Sequence, residues 1–194
     1  MSQKMNNKVV SEIDTVLDQS GVIEIVPNAY GFAALKEDGS VVSWGSSEFG
    51  GDQSEVISLL NGTIDIVDIH TTGSAFAALR ADGSVVTWGH QEFGGNSSEY
   101  ALELDGTVDV VEITSSKSGF AAKRADGSVV IWGNGFDDAD TSGLDGNNVK
   151  AVASNRYAFA VLMNDGSVET WGDPNSGGDT TDVDLYGSSN ELRI

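Results

Sequence analysis

The sequence predicts an all-β protein made of tandem repeats of about 44 residues. Three observations predict it. First, the signature Asp-Gly-Ser-Val-x-x-Trp-Gly occurs four times, at 38–45, 82–89, 126–133 and 165–172. Second, Trp44, Trp88, Trp132 and Trp171 are spaced by 44, 44 and 39 residues and are all the tryptophans of the chain. Third, the composition is turn-rich, with 24 glycines, only Pro27 and Pro174 as prolines, and no long amphipathic run. Short strands joined by Gly, Asp, Asn and Ser turns fit this better than long helices.

The second unit shows each element in order. Residues 54–60 are leucine-rich and read as a strand or a short helical turn, and Asn61-Gly62 is a turn. Residues 63–69 alternate apolar and polar side chains, the period of a half-buried strand. A Thr/Gly/Ser link at 71–74 leads into a second strand over 75–80. Asp82-Gly83 then predicts a hairpin, read as a two-residue type I′ turn. A third strand over 84–88 carries Val, Val and Trp88, and the loop 90–95 ends the unit. The expected units are 11–53, 54–97, 98–140 and 141–178, with a partial unit at 179–194, in one domain over 1–194. Residues 9–17 are the best helix candidate. The third-to-fourth link is shorter, and 136–143 replaces the usual Phe-Gly-Gly loop.

The tail after Trp171 offers strand material without a hairpin of its own, and unpaired strand edges need covering. Either the tail docks on the first unit and closes a ring, or it meets another molecule head to tail, giving a homo-oligomer through the terminal strand.

Charge and composition narrow the function. The formal net charge is −20, from 30 acidic and 10 basic residues, which argues against nucleic acid and anionic membranes as partners. It favours basic partners, cation association or a solvated acidic surface. There are no cysteines, so disulfides, thiolate catalysis and Cys-based zinc sites are excluded. Residues 1–7 are polar and no apolar run follows that would serve as a signal peptide or span. The expected location is the cytoplasm, or the exterior by a route without a classical signal peptide.

At 76–89 the motif Phe-Ala-Ala-Leu-x-x-Asp-Gly-Ser-Val-x-x-Trp-Gly resembles the regulator-of-chromosome-condensation repeat. The resemblance covers the central third of each unit and implies a blade of a β-propeller, so the expected architecture is a small β-propeller or an open propeller-like array. The family usually follows Trp-Gly with Asn and a Gly-Gln-Leu-Gly stretch, where this chain has Glu48-Phe49-Gly50-Gly51 and Glu92-Phe93-Gly94-Gly95. The family's members act in nucleotide exchange on small GTPases, in chromatin contact or as interaction domains.

Shared positions have packing or turn explanations. The tryptophans fit a core, the Asp-Gly aspartates fit turns, and Lys36, Arg80 and Arg124 at the hairpin entry fit internal charge balance. Binding is expected where copies differ. Glu48, Phe49, Glu92, Phe93 and Phe136 are therefore the candidate ligand residues, for a protein or carbohydrate partner. Asp138 and Asp140, in Asp-Ala-Asp-Thr-Ser-Gly, match the first half of a calcium loop, although position twelve is Val149 in place of the bidentate Glu. No other cofactor is expected. His70 and His90 stand in no metal-ligand spacing, and no nucleophile elbow, phosphate loop or zinc-protease motif occurs. A non-enzymatic binding or assembly module is the expectation, with self-association as the alternative and a catalytic site at 136–143 as a third.

Overall fold

The computed structural model describes residues 21–136, 139–144, 149–181, 183 and 185. The helix candidate at 9–17 and nearly all of the tail lie outside the described residues.

Four three-stranded antiparallel sheets follow one another, each a simple meander. The first blade holds β1 (Val22–Pro27), β2 (Gly31–Lys36) and β3 (Val41–Gly45); the second holds β4 (Ile66–Thr71), β5 (Ala75–Arg80) and β6 (Val85–Gly89). The third holds β7 (Val110–Ser115), β8 (Gly119–Arg124) and β9 (Val129–Gly133); the fourth holds β10 (Val149–Ser154), β11 (Ala158–Met163) and β12 (Val168–Gly172). The repeat is therefore all-β and propeller-like. Among the described residues no helix is long and apolar enough to cross a membrane.

The first strand of each blade does not alternate simply. In β4 the register shifts between Ile66 and Asp68, so a bulge intervenes and Ile66 and Ile69 both turn inward. The same shift recurs in β1, β7 and β10. The leucine-rich segments form turns and not strands. Leu60 instead accepts one bond from the Val41 N–H and buries its side chain, and Leu104 does the same for Val85.

The Asp-Gly hairpins differ from the type I′ expectation. The Gly83 N–H donates to the Arg80 carbonyl, the Arg80 N–H donates to the Ser84 carbonyl, and only Gly83 has positive φ (+76°). This is a three-residue loop, a type I turn closed by a left-handed glycine. Asp82 keeps ordinary backbone angles because its carboxylate accepts both the Ser84 N–H (3.1 Å) and hydroxyl (2.6 Å). Asp38, Asp126 and Asp165 do the same with Ser40, Ser128 and Ser167. Those serine hydroxyls, together with the serine backbone N–H bonds, hold all four carboxyls below the usual range against the small opposing effect of burial. Arg80 and Arg124 lie 3.5 and 3.9 Å from Asp82 and Asp126, the local charge balance that the sequence predicts.

The core is not within blades but between them. The first cluster joins Ala33, Leu35, Val41 and Leu60 of the first blade to Phe76, Val86 and Trp88 of the second. A second cluster joins the second and third blades around Phe120 and Trp132, and a third joins the last two around Phe136 and Phe159. A bonded rim runs beside them: the Ala29 N–H donates to Gly73, Gly73 to Lys117, and Lys117 to Arg156, each to a backbone carbonyl.

Candidate functional site

The loop after the third strand forms the face on which the predicted ligand residues lie. Residues Ser47–Phe49 make a 3-10 turn closed by Gly50 at φ +98°. Gln91–Phe93 repeat it with Gly94, and Pro174–Ser176 with Gly177. The glycine is fixed by the next blade. A Cβ on Gly50 would stand 2.6 Å from the Phe76 ring, and its carbonyl accepts the Trp88 Nε1–H at 3.1 Å. Gly94 has the same relation to Phe120 and Trp132. The first two of these loops thus latch their own blade to the next.

In three of the four blades a polar residue three before the second strand steadies this loop, a shared position that a search for differences between copies overlooks. Asn28 Oδ1 accepts the Tyr30 and Gly31 N–H groups, while its Nδ2 donates to the Phe49 carbonyl at 2.7 Å. Asn155 holds the Ser176 carbonyl, and the Thr72 hydroxyl holds that of Phe93. The signal is the small polar series Asn28, Thr72, Ser116, Asn155 at one repeat position.

Glu48 and Glu92 line one groove at the first joint and Phe49 stacks beside it, while Phe93 packs against the core of the second joint. The Phe49 ring stacks on Tyr30 at 4.2 Å and faces His90 at 5.6 Å, and Phe93 meets His90 edge-on at 5.1 Å. Glu48 and Glu92 are exposed, and Glu48 lies 3.8 Å from His90 Nε2. They border a groove of about 830 Å³ between the first two blades. Its lining includes the carboxylates Glu48, Asp52, Glu55 and Glu92 and the apolar Val56, Leu59 and Trp88. The Ser54 N–H bond, followed by its side chain, holds Asp52 below the usual carboxylate range.

Phe136 is not part of this group. Its side chain is buried and packs 4.9 Å from Phe159, in the joint that the shortened link seals. Asp140 is exposed and accepts the Ser142 N–H at 3.0 Å, while Asp138 lies outside the described residues. Among the described residues no group of three or more His, Asp or Glu side chains is arranged to hold a metal ion. His70 pairs with exposed Asp68 at 3.1 Å on an outer strand, away from the groove lining.

A smaller groove of about 460 Å³ lies between the third and fourth blades, with a different chemistry. Lys117 and Arg156 both approach the Tyr157 ring, at 6.0 and 5.5 Å. At the last joint a groove of about 320 Å³ repeats part of the first one, with Thr170, Trp171, Gly172 and Gly178 in place of Thr87, Trp88, Gly89 and Gly95, but among the described residues its lining holds no carboxylate.

No protein-family profile matches the chain, and no curated protein matches it. Solved structures do. Yeast RCC1 (Prp20), in its complex with Kap60, matches with a TM-score of 0.57 at 21% identity, over 80% of this chain and 44% of that one. Human WBSCR16 matches at 0.55 and 19% identity, over 82% and 51%. The ectodomain of the Physcomitrella patens receptor kinase CR4 matches at 0.50 and 17% identity, over 78% and 39%. The fold is an RCC1-like propeller repeat, and the chain spans about two fifths to half the length of these structures.

Proposed function

We propose that this chain is a non-enzymatic binding module that takes a basic polypeptide segment across the loop face between its first two blades. The observation that carries the reading is the groove that brings four carboxylates (Glu48, Asp52, Glu55, Glu92) and the apolar Val56, Leu59 and Trp88 into one lining. Such a surface suits a chain with Lys or Arg on one side and aliphatic groups on the other, and the net charge of −20 steers such a partner inward. Unequal grooves favour a polypeptide over a sugar, because a repeat lectin would offer equivalent pockets in each joint. A propeller of this fold also serves protein partners elsewhere: one crystal structure of Prp20p describes its binding to Gsp1p and histones, and another holds it with Kap60.

Fluorescence anisotropy with a labelled Lys/Leu-rich peptide tests this. Glu48→Lys with Glu92→Lys should weaken binding by about ten- to thirtyfold, since each charge contact at a rim contributes on the order of 1 kcal/mol. Binding that ignores both substitutions contradicts the reading.

A further inference from the structure

The three sealed joints share one recipe, and both halves of that recipe stand uncovered at opposite ends of the array. In the first joint the following blade supplies Ile66, Ile69, Phe76, Ala78, Val86 and Trp88. One period earlier these positions are Val22, Ile25, Phe32, Ala34, Val42 and Trp44, all apolar. The preceding blade supplies Ala33, Leu35, Val41 and Leu60; the same positions in the fourth unit are Ala160, Leu162 and Val168, and Leu185 matches Leu60 through the Leu-x-Gly pattern after a link two residues shorter. Burial separates the two sets. Phe32 is 42% exposed where Phe76 is 0%, Trp44 is 44% where Trp88 is 4%, and Leu185 is 43% where Leu60 is 1%.

The polar parts of the recipe are also left over. Among the described residues nothing stands against the Trp44 Nε1–H, whereas Trp88 and Trp132 donate to Gly50 and Gly94. The matching acceptor is the carbonyl of Gly177, a glycine at φ +91° for which, among the described residues, a Cβ would meet Asn155 alone, at 3.9 Å. The bonded rim stops likewise, with the Ala29 carbonyl at one end and the Arg156 N–H at the other. In the fourth hairpin a Cβ on Gly166 would meet nothing, while one on Gly83 would stand 2.6 Å from Asp109 of the next blade.

We propose that the leading face, Phe32, Val42 and Trp44, is covered by the trailing face of a second copy of this chain, and that two copies close head to tail into one ring. The second copy is the occupant because this chain itself carries the complement, position by position. It repeats a contact already made three times and needs no new chemistry. A heterologous contact of this kind generates a ring or a filament. The receptor-kinase ectodomain, 39% of which is covered by 78% of this chain, has about the length of two copies, which favours the ring.

Light scattering coupled to size exclusion tests it on the 194-residue chain. The expected mass is that of two chains of 20.3 kDa. A head variant, Trp44→Glu, and a tail variant, Leu162→Glu with Leu185→Glu, should each run as single chains with unchanged far-ultraviolet circular dichroism. Mixed together they should regain the two-chain mass, because one intact joint can still form. A single-chain mass for the parent at all concentrations overturns the proposal, as does a mass above two chains. A tail variant that stays two-chain also overturns it, since that means two leading faces meet each other. If a variant misfolds, the parent's tryptophan emission decides: it should shift to the blue as concentration rises, and a concentration-independent spectrum counts against association.

Discussion

Phe76 and Phe32 hold the same place in successive blades, on strands of the same length and pairing, yet one is sealed and the other half in water. Sequence position does not separate them. The neighbour does: Phe76 lies under Gly50 of the preceding blade, and no preceding blade covers Phe32 among the described residues. The comparison teaches that the stabilising unit of this fold is the joint, not the blade. A three-stranded meander is marginal alone, and its apolar face becomes a core only when another blade closes over it.

The largest expected effect follows from truncating that ring on each side of the comparison. Phe76→Ala should cost about 3–5 kcal/mol in chemical denaturation, as for a fully buried phenylalanine. Phe32→Ala in the dilute single chain should cost about 1 kcal/mol or less. Equal losses would show that the blades hold together internally. The hairpin glycines sharpen the point. Gly83→Ala must place a methyl against Asp109 as well as strain a positive φ, and should cost about 2–3 kcal/mol. Gly166→Ala, with open space and the strain alone, should cost about 1 kcal/mol. A smaller difference is expected at the indoles. Trp88→Phe loses the bond to Gly50 and should cost about 1–2 kcal/mol beyond the same change at Trp44.

Acid should act alike on all four blades. The folded carboxyls of Asp38, Asp82, Asp126 and Asp165 lie below their ordinary value of 3.8. The unfolded chain therefore takes up protons first as pH falls. The stability these turns contribute is present above about pH 4 and is lost as pH drops through and below that value. Thermal melting should be flat from pH 7 to 5 and fall below 4, and changing the four aspartates to Asn should flatten the fall.

Much of this was legible in the residues. Alternation and the Asp-Gly-Ser signature place the second and third strands of every blade, and the tryptophan spacing marks the four blades among the described residues. The type of hairpin turn was not legible, because Asp-Gly reads the same with two loop residues or three, and the register that decides it comes from pairing Leu79 with Val85. The bulge in each first strand hides in the same way, since Ile66 and Ile69 break strict alternation only once the pairing is known. At the site, Glu48, Phe49 and Glu92 lie at the first joint, whereas Phe93 packs on the second-joint core, because the two Glu-Phe loops each turn toward the following blade. Phe136 resembles Phe49 and Phe93 in sequence but turns into the core, because the shortened link moves its ring into the third joint. The unequal exposure of four equivalent tryptophans depends on neighbours along the array, which no single repeat encodes.

Hydrogen exchange of the individual indole N–H protons, followed by nuclear magnetic resonance from dilute to concentrated chain, tests the joint account most directly. Trp88 and Trp132 should exchange slowly throughout, Trp44 should exchange fast when dilute, and Trp44 should become protected as copies associate. Trp88 exchanging as fast as Trp44 in the dilute chain would contradict the account.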